Sequence, residues 1–243
     1  MSRHKGQLRV GTSGWQYDHW REVFYPPELD TDEWFGYFCK QFDTVEVNNT
    51  FYHLPESETF DAWAEQAPEG FLYTLKFSRY GTHMKKLKDP ESSIGIFQDR
   101  AERLGEHLGA ILVQLPPHWH ADVERLGAFL AECPSRHRWA VEFRDPDWLR
   151  DEVFDVLRDH NAALVVHDLI PDHPREVTAD WVYLRFHGAG DGGDYPHQAL
   201  SGSARRIERH LAEGRDVYAY FNNDAHGYAI DNARDLRRYV SGW

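Results

Sequence analysis

Two carboxylates each stand inside a short β-rich run and alternate there with apolar residues, in Val45-Glu46-Val47-Asn48 and in Val141-Glu142-Phe143-Arg144. Side chains along a strand alternate faces, so Glu46 shares a face with Asn48, and Glu142 with Arg144. Lys76 sits between Leu75 and Phe77, and Arg185 between Leu184 and Phe186, so each is a cation in an otherwise apolar strand. Such a charge is costly unless it is paired or used. One reading is structural, with Lys76 and Arg185 neutralising Glu46 and Glu142. The other is chemical: the cations hold an anionic group, and one carboxylate works as general acid or base. The chemical reading gives Glu46, Lys76, Glu142 and His187 as catalytic candidates. It gives Ser13, Trp15, Asn48, Asn49, Arg79, Gln114, Arg144, Asp168, Arg185, Asn222 and Asn223 as binding residues.

His167 and His187 end two further strand-like runs and suit proton transfer, metal ligation or a hydrogen-bonded rim equally. Glu46, Glu142, Asp168 and His187 could supply a metal site, but Lys76 and Arg185 beside them would repel a divalent ion, so no metal and no cofactor is expected. No H-E-x-x-H occurs, and His118-Trp119-His120 follows Pro116-Pro117 in what reads as a loop. The aromatic tract Trp15-Gln16-Tyr17 with Trp20, Phe24 and Tyr25 reads as a stacking lid or as a packed loop. Asp191-Gly192-Gly193-Asp194-Tyr195 reads as a mobile loop, too acidic to cradle a phosphate.

Elements must carry these residues to one place. Eight β-rich runs end in polar residues: Leu8 to Thr12, Thr44 to Val47, Phe71 to Phe77, Ala110 to Leu115, Trp139 to Phe143, Ala163 to Val166, Val182 to Phe186 and Val217 to Phe221. Between them the apolar spacing shifts to the helical period, as in Phe97, Ala101, Leu104 and Leu108, or Val123, Leu126, Phe129 and Leu130. Asp89-Pro90 marks a helix start, with a cap residue before a proline at the first helical position. From Leu169 to Asp180, Pro171 and Pro174 leave the helix between strands six and seven short or missing. The pattern predicts a single-domain (β/α)8 TIM-type barrel over residues 1–243, with its chemistry at the carboxyl ends of the strands. A doubly wound sheet is the alternative, but no G-x-G-x-x-G opens a helix.

Composition narrows the setting. A chain that is 41% hydrophobic and 14% aromatic can build a large core without staples. The two cysteines, Cys39 and Cys133, suggest neither disulfides nor a metal cluster. Met1 to Gly6 has no apolar leader, and no run is long enough to span a bilayer, so a cytoplasmic protein without membrane partners is expected. A net charge of −13 opposes non-specific binding to duplex DNA unless a local basic patch overcomes it.

The motifs then fall in a known order. Val10-Gly11-Thr12-Ser13-Gly14-Trp15, Phe42 to Tyr52 reading F-D-T-V-E-V-N-N-T-F-Y, Phe77-Ser78-Arg79 and Gln114-Leu115-Pro116-Pro117 come first. Val141-Glu142-Phe143-Arg144 with Trp148, Tyr183 to Gly188 and Tyr220-Phe221-Asn222-Asn223-Asp224 follow. Over nearly its whole length the chain resembles the domain-of-unknown-function 72 family, also called YecE-like. That family's K-x-S after strand three stands here as Lys76-Phe77-Ser78. The resemblance implies a TIM-like barrel and carries no reaction with it. By fold analogy to xylose isomerase and endonuclease IV, it raises a sugar or a phosphodiester as substrate.

The leading expectation is a metal-independent enzyme on a small anionic, phosphorylated or carboxylated polyol. Arg144, Arg185 and Lys76 would hold the anion, Glu46 or Glu142 would move protons, and Asn48, Asn222 and Asn223 would bond hydroxyls. The alternatives are a nucleic-acid binding or repair protein using Trp15, Tyr17 and Arg79, a metal-dependent hydrolase, and a non-catalytic sensor. All of them need Glu46, Lys76, Glu142 and Arg185 to converge.

Overall fold

In the computed structural model, residues 5–188 and 193–241 are described. The expectation for the first residues lies outside them for Met1 to His4, as does the one for the loop after strand seven at Asp191 and Gly192. The strands are β1 (Leu8–Thr12), β2 (Thr44–Val47), β3 (Leu72–Lys76), β4 (Leu108–Gln114), β5 (Arg138–Glu142), β6 (Ala163–His167), β7 (Trp181–Phe186) and β8 (Asp216–Phe221). They form one sheet in the order β1-β8-β7-β6-β5-β4-β3-β2, and a parallel bridge from Ser13 to Glu46 joins its two ends. With helices alternating between parallel strands, this is a (β/α)8 TIM-type barrel.

Two compact units make up the chain, residues 1–46 with 184–243 and residues 47–183. In the first, β1 and β8 run parallel from Leu8 opposite Val217 to Thr12 opposite Phe221. Gly11 is required there: a Cβ would stand 2.2 Å from the Thr44 carbonyl oxygen, so any larger residue would push β1 off β2. Helix α1 (Trp34–Cys39) buries Trp34, Phe35 and Phe38. The aromatic tract after β1 packs onto it. Tyr25 stacks flat on Trp34 with ring centroids 4.3 Å apart, and the Tyr25 hydroxyl donates to the Trp15 carbonyl at 2.6 Å.

The second unit carries β3 to β6, with Gln114 directly opposite Glu142 where β4 and β5 end. Helices α2 (Asn49–Tyr52), α3 (Ser57–Gln66), α4 (Pro90–Ala101), α5 (Val123–Glu132) and α6 (Asp151–Asp159) belong to it. The α5 helix buries Leu126, Phe129 and Leu130, the stripe that a period of 3.6 demands. Pro90 opens α4 as expected, but Asp89 does not cap it. Its backbone lies in the left-handed region at φ 48°, and its carboxylate accepts from Lys85 Nζ at 2.9 Å instead. The helical spacing that runs through to Leu108 also breaks early. Gly105 turns to φ 53° and ψ −125°, and Leu108 begins β4.

Between β6 and β7, residues 168–180 contain no helix. Thr178 fastens this stretch to the barrel, its hydroxyl donating to the Ala162 carbonyl at 2.7 Å and accepting from the Leu164 amide at 2.8 Å. The remaining helices, α7 (His197–Ala212) and α8 (Tyr228–Ser241), belong to the first unit and pack on each other. Among the described residues no helix is long and apolar enough to cross a membrane.

Candidate functional site

In the first unit the ends of β1, β2 and β7 meet in a closed ion pair. Glu46 is fully buried, and its Oε1 accepts from Arg185 Nη2 at 2.7 Å and from Ser13 Oγ at 2.7 Å. The Glu46 carbonyl accepts the Gly14 amide at 2.8 Å, so the same residue ties the β1 turn in place. Arg185 exposes about one percent of its side chain, so this pair exchanges nothing with solvent. Its geometry satisfies the rule that a buried charge needs a bonded partner, which is the structural reading for Glu46 and Arg185.

The polar residues ending β7 and β8 form a second group in that unit. Asn222 Nδ2 donates to His187 Nδ1 at 3.2 Å, so the other ring nitrogen of His187 carries the proton. Asn223 is buried and donates to Asn232 Oδ1 at 2.8 Å and to the Gly193 carbonyl at 3.1 Å, while Asn232 in turn donates to Asp194. Asn223 therefore holds the chain after β7 onto α8. Trp15 lies buried edge-on to Phe35 with ring centroids 5.5 Å apart, part of the packed aromatic loop.

The second unit gathers most of the remaining candidates at the ends of β3, β4 and β5. Arg144 donates through Nε to Glu142 and through Nη2 to Gln114 Oε1 at 3.2 Å, so one guanidinium spans two strand ends. Glu142 is fully buried, whereas Arg144 keeps about a quarter of its side chain exposed. The guanidinium is thus aimed by the barrel and still reachable. Lys76 is buried at the end of β3 with Nζ 4.3 Å above the Phe51 ring, and its carbonyl accepts from Thr50 Oγ1 at 2.7 Å. Arg79 is exposed on the turn that follows. Of the charges set against each other in the structural reading, Glu46 meets Arg185, and Glu142 is met by Arg144 on its own strand run.

Asn48 ends β2 with its Oδ1 out of solvent, and no donor meets that oxygen among the described residues. Asn49 and Asp168 are exposed. His167 has both nitrogens engaged: Nε2 donates to the Phe143 carbonyl at 2.8 Å, and Nδ1 accepts the Leu169 amide at 3.2 Å. It is a satisfied rim residue with a fixed tautomer. Among the described residues no group of three or more His, Cys, Asp or Glu is arranged to hold a metal ion.

Two histidines were not singled out in the sequence. His83 lies five residues past Ser78, in a π-type turn closed by the Lys85 amide on the Tyr80 carbonyl at 2.8 Å. Burial first, and then the charges of Lys76, Arg79 and Arg144, hold its pKa down to about 4. The imidazole reports the sign of the local field, which is positive. His173 packs against His167 with ring centroids 4.6 Å apart and is likewise held down to about 4, mainly by burial. The signal for His83 was the unbroken polar stretch after Lys76-Phe77-Ser78; that for His173 was hidden in the proline-bounded connection after β6.

Comparison with known proteins agrees with this architecture. The chain is 23% identical over 268 residues to the UPF0759 protein YunF of Bacillus subtilis (strain 168), covering 94% of this chain and 93% of that protein. It is 29% identical over 112 residues to the UPF0759 protein YecE of Escherichia coli (strain K12), covering 46% of this chain and 41% of that one. A solved DUF72 family protein of Thermotoga maritima MSB8 superposes with a TM-score of 0.82 at 25% identity, covering 97% of this chain and 99% of that one. One from Enterococcus faecalis V583 gives 0.80 at 20% identity, covering 97% and 96%. The model of the family described as "Protein of unknown function DUF72" matches residues 9–242, and the chain belongs to that family.

Proposed function

We propose that this protein is a metal-independent enzyme acting on a small anionic polyol, phosphorylated or carboxylated, bound at the carboxyl ends of β3 to β5. The observation that carries the reading is the set of cations at these strand ends: Arg144 aimed by Glu142 and Gln114, Lys76 over Phe51, and Arg79 on the turn beyond. In a chain of net charge −13 their field is locally positive, and after burial it is what holds the His83 pKa down to about 4. An anion is the ligand that such a field favours, and a divalent cation is what it repels. Arg144 is pre-aimed by Glu142 and Gln114, so little ordering cost falls on binding. The Asn48 Oδ1 without a donor is an acceptor that a substrate hydroxyl would satisfy. Arg185, closed on Glu46, keeps a structural part.

Thermal shifts with phosphorylated or carboxylated polyols, set against the neutral polyols, test the reading. A ligand present at a hundred times its Kd stabilises by about 2.7 kcal/mol. Saturable stabilisation by the anionic compounds alone, lost in Lys76→Ala, is expected. Equal response to neutral polyols, or none across the anions, would discard it.

A second reading rests on residues 76–88. Lys76, Arg79, Lys85, Lys86 and Lys88 occur there without any acidic residue, and Tyr80 stands half exposed among them. This is the kind of local patch by which an acidic chain could still take a single nucleic-acid strand. It predicts oligonucleotide retention that weakens steeply with salt.

A further inference from the structure

His83 is oriented with unusual care for a residue on a strand-to-helix connection. The Thr82 hydroxyl donates to the Ser78 carbonyl at 2.9 Å, so its oxygen is left to accept, and His83 Nδ1 lies 3.0 Å from it. Nδ1 therefore carries the ring proton, and Nε2 presents its lone pair. Among the described residues Nε2 has no hydrogen-bond partner. The ring stands edge-on to Phe51 with centroids 5.0 Å apart, and the Lys76 ammonium lies over that same Phe51.

The backbone beneath is locked. A Cβ on Gly81 would come within 2.5 Å of the Phe77 ring, so the turn sits flush on β3 and its flank. Just beyond it Lys86, Leu87 and Asp89 all take positive φ, at 49°, 62° and 48°. Non-glycine residues in that region are strained, and π-type turns are rare and frequently lie at functional sites. A solvated surface histidine needs none of this.

We propose that His83 is the proton acceptor of this site: its Nε2 takes a proton from a hydroxyl of the substrate whose anionic group rests on Lys76, Arg79 and Arg144. The proposal rests on the anionic-polyol reading above. In the step the substrate O–H bond breaks and an Nε2–H bond forms. The oxygen keeps the electron pair as an alkoxide, and the ring becomes an imidazolium with Nδ1–H still on Thr82. No electrons are exchanged with a third partner. The bound anion is part of the device, because its charge offsets the three cations that add to burial in holding the ring's pKa down, and so makes the ring a better base. Without it the imidazole stays a weak base, and solvent is not deprotonated idly.

Imidazole 15N NMR on the whole protein tests this, with His83→Gln identifying the His83 signals and inorganic phosphate and glycerol phosphate as probes. The account expects a neutral His83 in the Nδ1–H form in the free protein. It expects a saturable movement of the Nε2 resonance with either probe, a larger one with the hydroxyl-bearing glycerol phosphate, and none in Lys76→Ala. An Nε2–H tautomer overturns the proposal. So does thermal stabilisation by either probe that depends on Lys76 while the His83 resonances stand still, and that result would leave the anion reading intact. If no probe produces a saturable effect in either measurement, the anion reading fails and this proposal fails with it.

Discussion

Lys76 holds its ammonium 4.3 Å above the ring of Phe51, and the edge of His83 meets that ring from another side. A cation that ends a buried strand is thus kept by an aromatic face, an arrangement worth about 2 kcal/mol when desolvated. Replacing Phe51 with Leu should loosen both neighbours together. We expect a modest loss of stability and a His83 pKa that moves, read by NMR titration; an unmoved pKa would mean the ring does not couple them.

Glu46 and Arg185 form a pair with both partners out of solvent. Glu46→Gln leaves an uncompensated guanidinium and should cost about 3–5 kcal/mol in urea unfolding. Pairing it with Arg185→Met should recover a large part of that loss. If the double variant is as unstable as the single, the residues carry more than their mutual charge.

The pH dependence has a definite sign. His83 and His173 fold with pKa values of about 4 against an ordinary value of 6.5, so the unfolded chain protonates first as pH falls. Unfolding then takes up protons, and stability drops between about pH 6.5 and about pH 4; above that window neither state is protonated and the effect vanishes. Melting temperatures across this range should fall less steeply in His83→Gln and in His173→Gln. Identical slopes in all three proteins would refute the assignment.

Burial pushes the Cys39 thiol up to about 12 and the Cys133 thiol well above its usual range. A thiol is nucleophilic only as thiolate, so neither should react with a disulfide reagent at mildly alkaline pH in the native protein, and both should react in guanidinium. Fast stoichiometric labelling of the folded chain would contradict this.

The boundaries between the two compact units fall after Glu46 and after Tyr183, inside β2 and β7 rather than in linkers. Domain boundaries normally lie in exposed connections. One calorimetric transition with equal van't Hoff and calorimetric enthalpies is therefore expected for the whole chain; two resolved transitions would make the units separate domains.

Much of this was legible in the residues because strand periodicity is short and strict. Alternation alone located Glu46 and Glu142 in β2 and β5, and Pro171 and Pro174 alone removed the helix before β7. The charge partners were legible in part. Arg185 was already among the cations set against Glu46, whereas Arg144, two residues from Glu142 on the same face, was read as an anion holder and not as a partner of that carboxylate. His83 escaped because a single π-type turn has no repeat to detect, and the left-handed Asp89 because its conformation is imposed by the strained turn before α4. Leu108 was misread because apolar spacing continued past Gly105, where the backbone itself changed direction.

The central claim is that the cations ending β3 to β5 receive an anion. Crystals soaked in selenate or tungstate address it directly through anomalous scattering. The account predicts a peak within hydrogen-bonding reach of Lys76 Nζ and the Arg144 guanidinium, absent in Lys76→Ala. Anomalous peaks found only elsewhere on the protein, with none at that position, would contradict it.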